Sequence, residues 1–134
     1  MDEPSIFTRI INREIPADIV FEDERVIVFL SLENHPLVVP KAPVRDIYAL
    51  DDATAAAIMQ TATRVARALR RALECDGVLI WQASGAAAGQ EVYHFHLHVY
   101  PRWHGDGMRM KLPERDSSEG ARSDLLERLR ATWE

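Results

Sequence analysis

The sequence predicts an α+β fold, an antiparallel sheet with helices packed on one face, from three observations. Short apolar segments separated by turn signals run through residues 18–40. One long stretch, 51–74, carries its apolar residues at helical spacing. Two more apolar segments, 78–82 and 92–100, follow it across a loop of small residues. Strands joined by tight turns, then a helix, then strands, is the order of an α+β domain.

Each element has its own local cause. Residues 5–12 (SIFTRIIN) put Ile6, Phe7, Ile10 and Ile11 on one short helical stripe with Ser5 as N-cap. Ile15-Pro16 breaks it, because the residue before proline disfavours helix. Residues 18–30 read as two strands around Glu22-Asp23-Glu24, and 36–40 (PLVVP) as a third, bracketed by prolines. In 51–74 the stripe is Ile58, Ala62, Val65, Ala66, Leu69 and Leu73, with Asp51 or Asp52 capping the start and Gly77 following the end. Beyond Pro101 the chain turns polar, and about 118–133 a last helix carries Leu125, Leu126, Leu129 and Trp133 on one stripe.

The totals bound the function. At 134 residues the chain is one ordinary domain, and 47% hydrophobic with 28% charged residues is a globular composition. A net charge of -5 argues against general nucleic-acid binding, which needs clustered Lys and Arg to displace counterions. Cys75 is the only cysteine, which excludes an intrachain disulfide and fits a reducing compartment. MDEPSIFTRI has no apolar core of a secretory signal, and no run approaches a membrane span. The expectation is a cytoplasmic protein with no membrane partner.

Chemistry concentrates in 92–100 (VYHFHLHVY). His94, His96 and His98 alternate, so on a strand all three leave the same face. Tyr93, Phe95, Leu97 and Val99 would leave the other face and pack on the long helix. Three adjacent imidazoles on an inert face would be costly, at about 1–3 kcal/mol for each unpaired polar group. A metal site is a weaker reading: the outer two Cα atoms of such a strand lie roughly 13 Å apart. Two of the three with His35 still reach one ion, and Glu91 is the only carboxylate close in sequence. A phosphate site draws on more. Gly85-Ala86-Ala87-Ala88-Gly89 has no bulky side chain, so an anion can approach backbone N–H groups there. Imidazoles near neutrality supply a nucleophile, a proton donor and charge stabilisation.

GQEVYHFHLHVYPR (89–102) resembles the motif of the histidine triad (HIT) superfamily of nucleotide hydrolases and transferases. The likeness extends to 6–30 and to HPLVVPKAPVRDIYAL (35–50), and covers most of residues 5–107. It implies a single HIT-like domain over 1–134, with a helical extension about 108–134, built on a five-stranded antiparallel sheet with one long and one or two short helices. It also implies a homodimer. The activity implied is hydrolysis at the α-phosphate of a dinucleoside polyphosphate or a nucleoside phosphoramidate. The third histidine speaks for hydrolysis, since the superfamily's transferase branch has glutamine there.

By the same resemblance His96 is the nucleophile that forms a nucleotidyl-imidazole, and His98 contacts the phosphate. His94 and His35 orient and tune the nucleophile through a hydrogen-bonded relay. Gly89, Gln90 and Glu91 lie by the phosphate, and Ile6, Phe7, Ile10, Phe29, Ser31 and Leu32 match the nucleoside pocket. Ile10 and Phe29 read equally well as plain core. The chain departs from the family at several points. Ser31 replaces an Asp that often binds the ribose, SLENH (31–35) is shorter than the usual loop, and Ala83 replaces a polar amide. Ser5, Thr8 and Pro43 stand where some members hold zinc ligands, so no structural metal is expected. No cofactor is expected either, except magnesium with a polyphosphate substrate. Pro101-Arg102 after the triad resembles the dinucleotide-polyphosphate branch of the superfamily, where the phosphoramidase branch has Gly-Gly, so polyphosphates are expected to outcompete AMP-amine conjugates. Arg102 is placed to meet the polyphosphate or, equally, to pair with Asp106. Two other classes stay open: a non-catalytic nucleotide-binding regulatory module and a His-metal protein.

Overall fold

The computed structural model describes residues 3–134. Helix α1 (Ile6–Ile11) starts at Ser5, whose Oγ accepts from the Thr8 N–H as an N-cap. Strands β1 (Ile19–Glu22), β2 (Val26–Leu30) and β3 (Pro36–Pro40) follow as an antiparallel meander. Helix α2 (Asp52–Leu73) begins at Asp51, whose carboxylate accepts from the Thr54 N–H at 2.7 Å. Strands β4 (Gly77–Trp81) and β5 (Leu97–Arg102) pair antiparallel, and α3 (Glu119–Thr132) ends the chain. The five strands form one sheet in the order β1-β2-β3-β5-β4.

Two cores lie on opposite faces of this sheet. On one face Ile58, Ala62 and Val65 of α2 pack against Val26, Val28, Val38, Phe95, Leu97 and Val99. On the other, Phe7 and Ile10 of α1 pack against Ile27, Phe29, Leu37 and Val39. The expectation of helices on one face is therefore corrected. Covering both sides is why β3 is buried at every position and β2 at all but its last, instead of alternating. Ile10 and Phe29 belong to this second core, the packing half of their double reading.

Three local expectations also change. The residue that ends α2 in the left-handed region is Glu74 (φ 51°), not glycine; Gly77 instead opens β4. Tyr93 does not face the long helix: it is 41% exposed, with the Arg45 guanidinium 4.2 Å above its ring. Ladder pairing in the histidine segment begins only at Leu97. The stripe Leu125, Leu126, Leu129 and Trp133 on α3 remains exposed on this chain.

Burial separates the two helices in energy. Ile58→Ala removes a core side chain and is expected to destabilise by about 2–5 kcal/mol in chemical denaturation. Leu125→Ala, on the exposed stripe, is expected to cost under about 0.5 kcal/mol in dilute monomer.

Candidate active site

The histidines converge from three parts of the chain. His98 is on β5, and His94 and His96 lie on the segment that feeds it. His35 is the residue before β3. The pairing Leu37↔His98 carries His35 to the row of Tyr100, on the face that bears α1. Alternation of faces holds even upstream of β5. Phe95 enters the α2 core, while His94 and His96 meet Phe7 edge-on at ring-centroid distances of 6.1 and 4.9 Å.

Strand pairing stops short of 94–96 because the main chain there has other partners. The Phe95 N–H donates to the Val44 carbonyl at 2.6 Å. The His94 carbonyl accepts from Nδ1 of His96 at 2.7 Å. A carbonyl can only accept, so His96 Nδ1 carries the hydrogen and the lone pair of neutral His96 lies on Nε2. Among the described residues no hydrogen bond occupies that Nε2. This is the tautomer a nucleophilic imidazole requires.

His94 is 1% exposed and anchors the segment. Its Nε2–H donates to the Pro40 carbonyl at 2.8 Å. Its Nδ1 accepts from the hydroxyls of Ser5 (3.0 Å) or Thr8 (3.3 Å). His94 thus orients the His96 imidazole through its own main chain, with its ring bonded elsewhere.

His35 acts on His98, which refines the expected relay to the nucleophile. His35 Nε2 lies 2.8 Å from His98 Nδ1, and Ser31 Oγ lies 2.9 Å from His35 Nδ1. This row holds its protons in two ways. In one, Ser31 O–H donates to His35, His35 Nε2–H donates to His98, and His98 presents Nε2–H outward. In the other every proton is shifted one atom toward Ser31, and His98 presents a lone pair. Ser31, half-buried, is the outer end of this row. Its hydroxyl therefore serves His35, a different use from the ribose contact implied for it.

The glycine-rich loop is clamped from inside. Gln90 is buried; its Oε1 accepts from the Gly85 N–H at 2.8 Å and its Nε2 donates to the Arg45 and Val92 carbonyls. Its side chain is fully used, so it shapes the loop; the N–H groups of Gly85, Ala88, Gly89 and Gln90 are bonded within the turn, and among the described residues those of Ala86 and Ala87 are left for an anion. Gly85 (φ 90°) and Gly89 (φ 93°) bracket the turn in conformations that disfavour any side chain. Glu91 is exposed. Phe7 lies against His96, whereas Ile6 is 50% exposed and Leu32 fully exposed, so neither of those two is enclosed in a pocket. Arg102 is bidentate to Asp106 at 2.6 and 2.7 Å and also donates to the Met108 carbonyl. Among the described residues no group of three or more His, Cys, Asp or Glu is placed to hold a metal ion.

Sequence reasoning missed four supporting residues. Ser5 was read as an N-cap and, with Thr8, as a zinc position, and no local signal links the two to His94, 89 and 86 residues away. Trp81 and Tyr100 were missed although the hairpin register, Trp81↔His98, was within reach.

Burial holds the cluster neutral. It depresses the pKa of His35, His94 and His96, and that of His98 falls to about 4, with the nearby His96 and His35 adding to the effect. These folded values lie below the ordinary imidazole value of 6.5. The unfolded chain therefore binds more protons between about pH 4 and 6.5, and stability falls as pH drops through that window. Melting temperature is expected to fall between pH 7 and pH 5, and to fall less in His98→Gln. An unchanged slope in that variant would contradict the buried-neutral assignment.

The comparisons agree with this geometry. The HIT domain profile matches residues 12–105. Protein hit of Bacillus subtilis is 37% identical over 110 residues, 78% of this chain and 76% of that protein. A purine nucleoside phosphoramidase of Escherichia coli is 32% identical over 106 residues, 74% of this chain and 87% of that protein. A solved HIT-family structure from Bacillus subtilis superposes with a TM-score of 0.90 at 29% identity, covering 98% of this chain and 99% of that one. A domain match over most of the chain, relatives at this level of identity and a shared five-stranded fold make this chain a member of the HIT family.

Proposed function

We propose that the protein hydrolyses a nucleotide at its α-phosphate through a covalent intermediate on His96. The observation that carries this reading is the bond from His96 Nδ1–H to the His94 carbonyl, which leaves the Nε2 lone pair free. In the first step that lone pair forms a P–N bond and the bond from phosphorus to the leaving group breaks. His98 Nε2–H protonates the leaving group; His98 Nδ1 takes the His35 proton, His35 takes the Ser31 proton, and the part-exposed Ser31 hydroxyl is reprotonated from solvent. In the second step water attacks phosphorus, the P–N bond breaks, His98 Nε2 takes up the proton of the water, and the row passes one proton back through Ser31 to solvent. The product is a nucleoside monophosphate, and no cofactor takes part. The Ala86 and Ala87 N–H groups of the Gly85–Gly89 turn, which the turn's own hydrogen bonds leave over, stabilise the charge that develops on the phosphate oxygens.

Between the two leaving-group classes, the phosphoramidate is favoured. The ion pair with Asp106 withdraws Arg102, the side chain a polyphosphate would have met. The relative from Escherichia coli named a purine nucleoside phosphoramidase points the same way. A homodimer fits the sheet, because β4 is an edge strand and its Val78 and Ile80 are each 36% exposed. Sedimentation at micromolar concentration tests that assembly; a monomer would remove it.

The decisive assay compares an AMP-amine conjugate with dinucleoside tri- and tetraphosphates, in EDTA and in magnesium. The conjugate is expected to give the higher kcat/KM and to need no metal. His96→Ala should lose at least about a thousandfold in kcat while still binding AMP. Wild-type turnover in that variant would exclude His96 as nucleophile. The rate profile is expected to fall on the acid side, where the imidazoles protonate. A rate climbing without limit to high pH would indicate a metal-bound hydroxide.

A further inference from the structure

The reaction above leaves two aromatic rings beside the relay without a role. Register puts them there: Trp81 pairs with His98, and Leu79 with Tyr100, across β4 and β5. The Trp81 indole is stacked on His98 with centroids 4.7 Å apart and planes 19° from parallel. Tyr100 lies 4.0 Å from His35 at 32°, and stacks on Trp81 at 4.8 Å and 15°. Each imidazole of the hydrogen-bonded pair thus has an aromatic wall, and the two walls support each other. His96 meets His98 at 5.0 Å and 60°.

We propose that Trp81 is a positioning residue of the His35–His98 relay, with Tyr100 as its second wall. This rests on the hydrolytic reading given above. The physical need is specific. Rotation about χ2 of a histidine is broad and poorly held by its own torsional preference. Turning the His98 ring breaks the 2.8 Å contact to His35 and points its other nitrogen away from the reacting phosphate. A flat indole face resists that rotation, whereas a flexible aliphatic chain of similar bulk does not. The indole face also attracts a cation, so it favours the imidazolium that burial disfavours. The titratable groups acting on His98 from its surroundings are His96, His35 and Glu33; indole is the uncharged neighbour that acts on the same equilibrium.

The test compares Trp81→Leu with Trp81→Phe on the AMP-amine substrate. Trp81→Leu is expected to lower kcat about tenfold with KM within about twofold, and Trp81→Phe to recover most of the loss. The acid limb of the rate profile should move down by about half a pH unit in Trp81→Leu, the size of a lost cation–π contact. A merely structural loosening has the opposite sign: water entering the site relieves burial and moves the limb up. Proton NMR gives a readout free of turnover. The imidazole N–H shared by His35 and His98 should be visible far downfield in wild type, lost to solvent exchange in Trp81→Leu and kept in Trp81→Phe. An N–H that survives in Trp81→Leu, an upward limb, or an unchanged kcat would overturn the proposal. If wild type proves inactive while the N–H behaves as stated, the positioning role stands and the hydrolase reading fails.

Discussion

One hydrogen bond organises the site: the 2.7 Å contact between Nδ1–H of His96 and the main-chain carbonyl of His94. It selects the tautomer of His96, and it does so with a backbone atom, which cannot change its proton count as pH varies. That carbonyl must itself be held still. The His94 side chain does this from the interior, bonded to the end of β3 through Pro40 and to the start of α1 through Ser5 and Thr8. A short N-terminal helix that looks peripheral in sequence is therefore tied to the His96 imidazole by two successive hydrogen bonds. The capping hydroxyl of Ser5 thus ends a helix and fills the lone pair of a buried imidazole with one group.

The second constraint is charge. Four imidazoles within hydrogen-bonding or ring-contact distance of one another cannot all protonate, and burial already disfavours the charged form of each. Neutrality suits the chemistry twice. An imidazolium has no lone pair for phosphorus, and a positively charged cluster would hold a nucleoside monophosphate product tightly. In the proposed reaction the remaining proton traffic would run along Ser31, His35 and His98, a hydrogen-bonded row that can pass a proton to or from solvent at Ser31.

The sequence made the frame of this molecule readable and left its fastening obscure, for reasons that differ element by element. Helix α2 was legible because its apolar residues keep helical spacing over six turns and Asp51 caps them. Strands β1 to β3 were legible from their turns, but the second core behind them was not, because covering both faces depends on where α1 returns in space. The histidine segment was legible in the direction of its side chains and misread in its pairing. Main-chain groups of 94–96 go to Val44 and to His96 itself, partners that no alternation pattern encodes. The four histidines were found because their chemistry is rare in sequence. Ser5, Thr8, Trp81 and Tyr100 were not, because as residue types they are ordinary and acquire meaning only from what faces them.

Arg102 shows how local geometry limits an argument from residue type. A guanidinium at a strand end, just after a proline, has the shape to meet phosphate oxygens. The chain then turns so that Asp106 lies within reach of both sides of the fork, and its carboxylate also accepts from the Trp103 and Met108 N–H groups. Those donors hold the Asp106 pKa well below the usual carboxylate range, Arg102 first among them. The pair is exposed, so its energy is small, yet its geometry closes the turn that leaves β5. Opening it to free Arg102 for a substrate would strip this carboxylate of a partner and unmake that turn. In the proposed reaction phosphate recognition would then fall to neutral donors, the Ala86 and Ala87 N–H groups of the glycine turn and the His98 N–H, and a site built from neutral donors would match a substrate with one phosphate better than one with a polyphosphate chain.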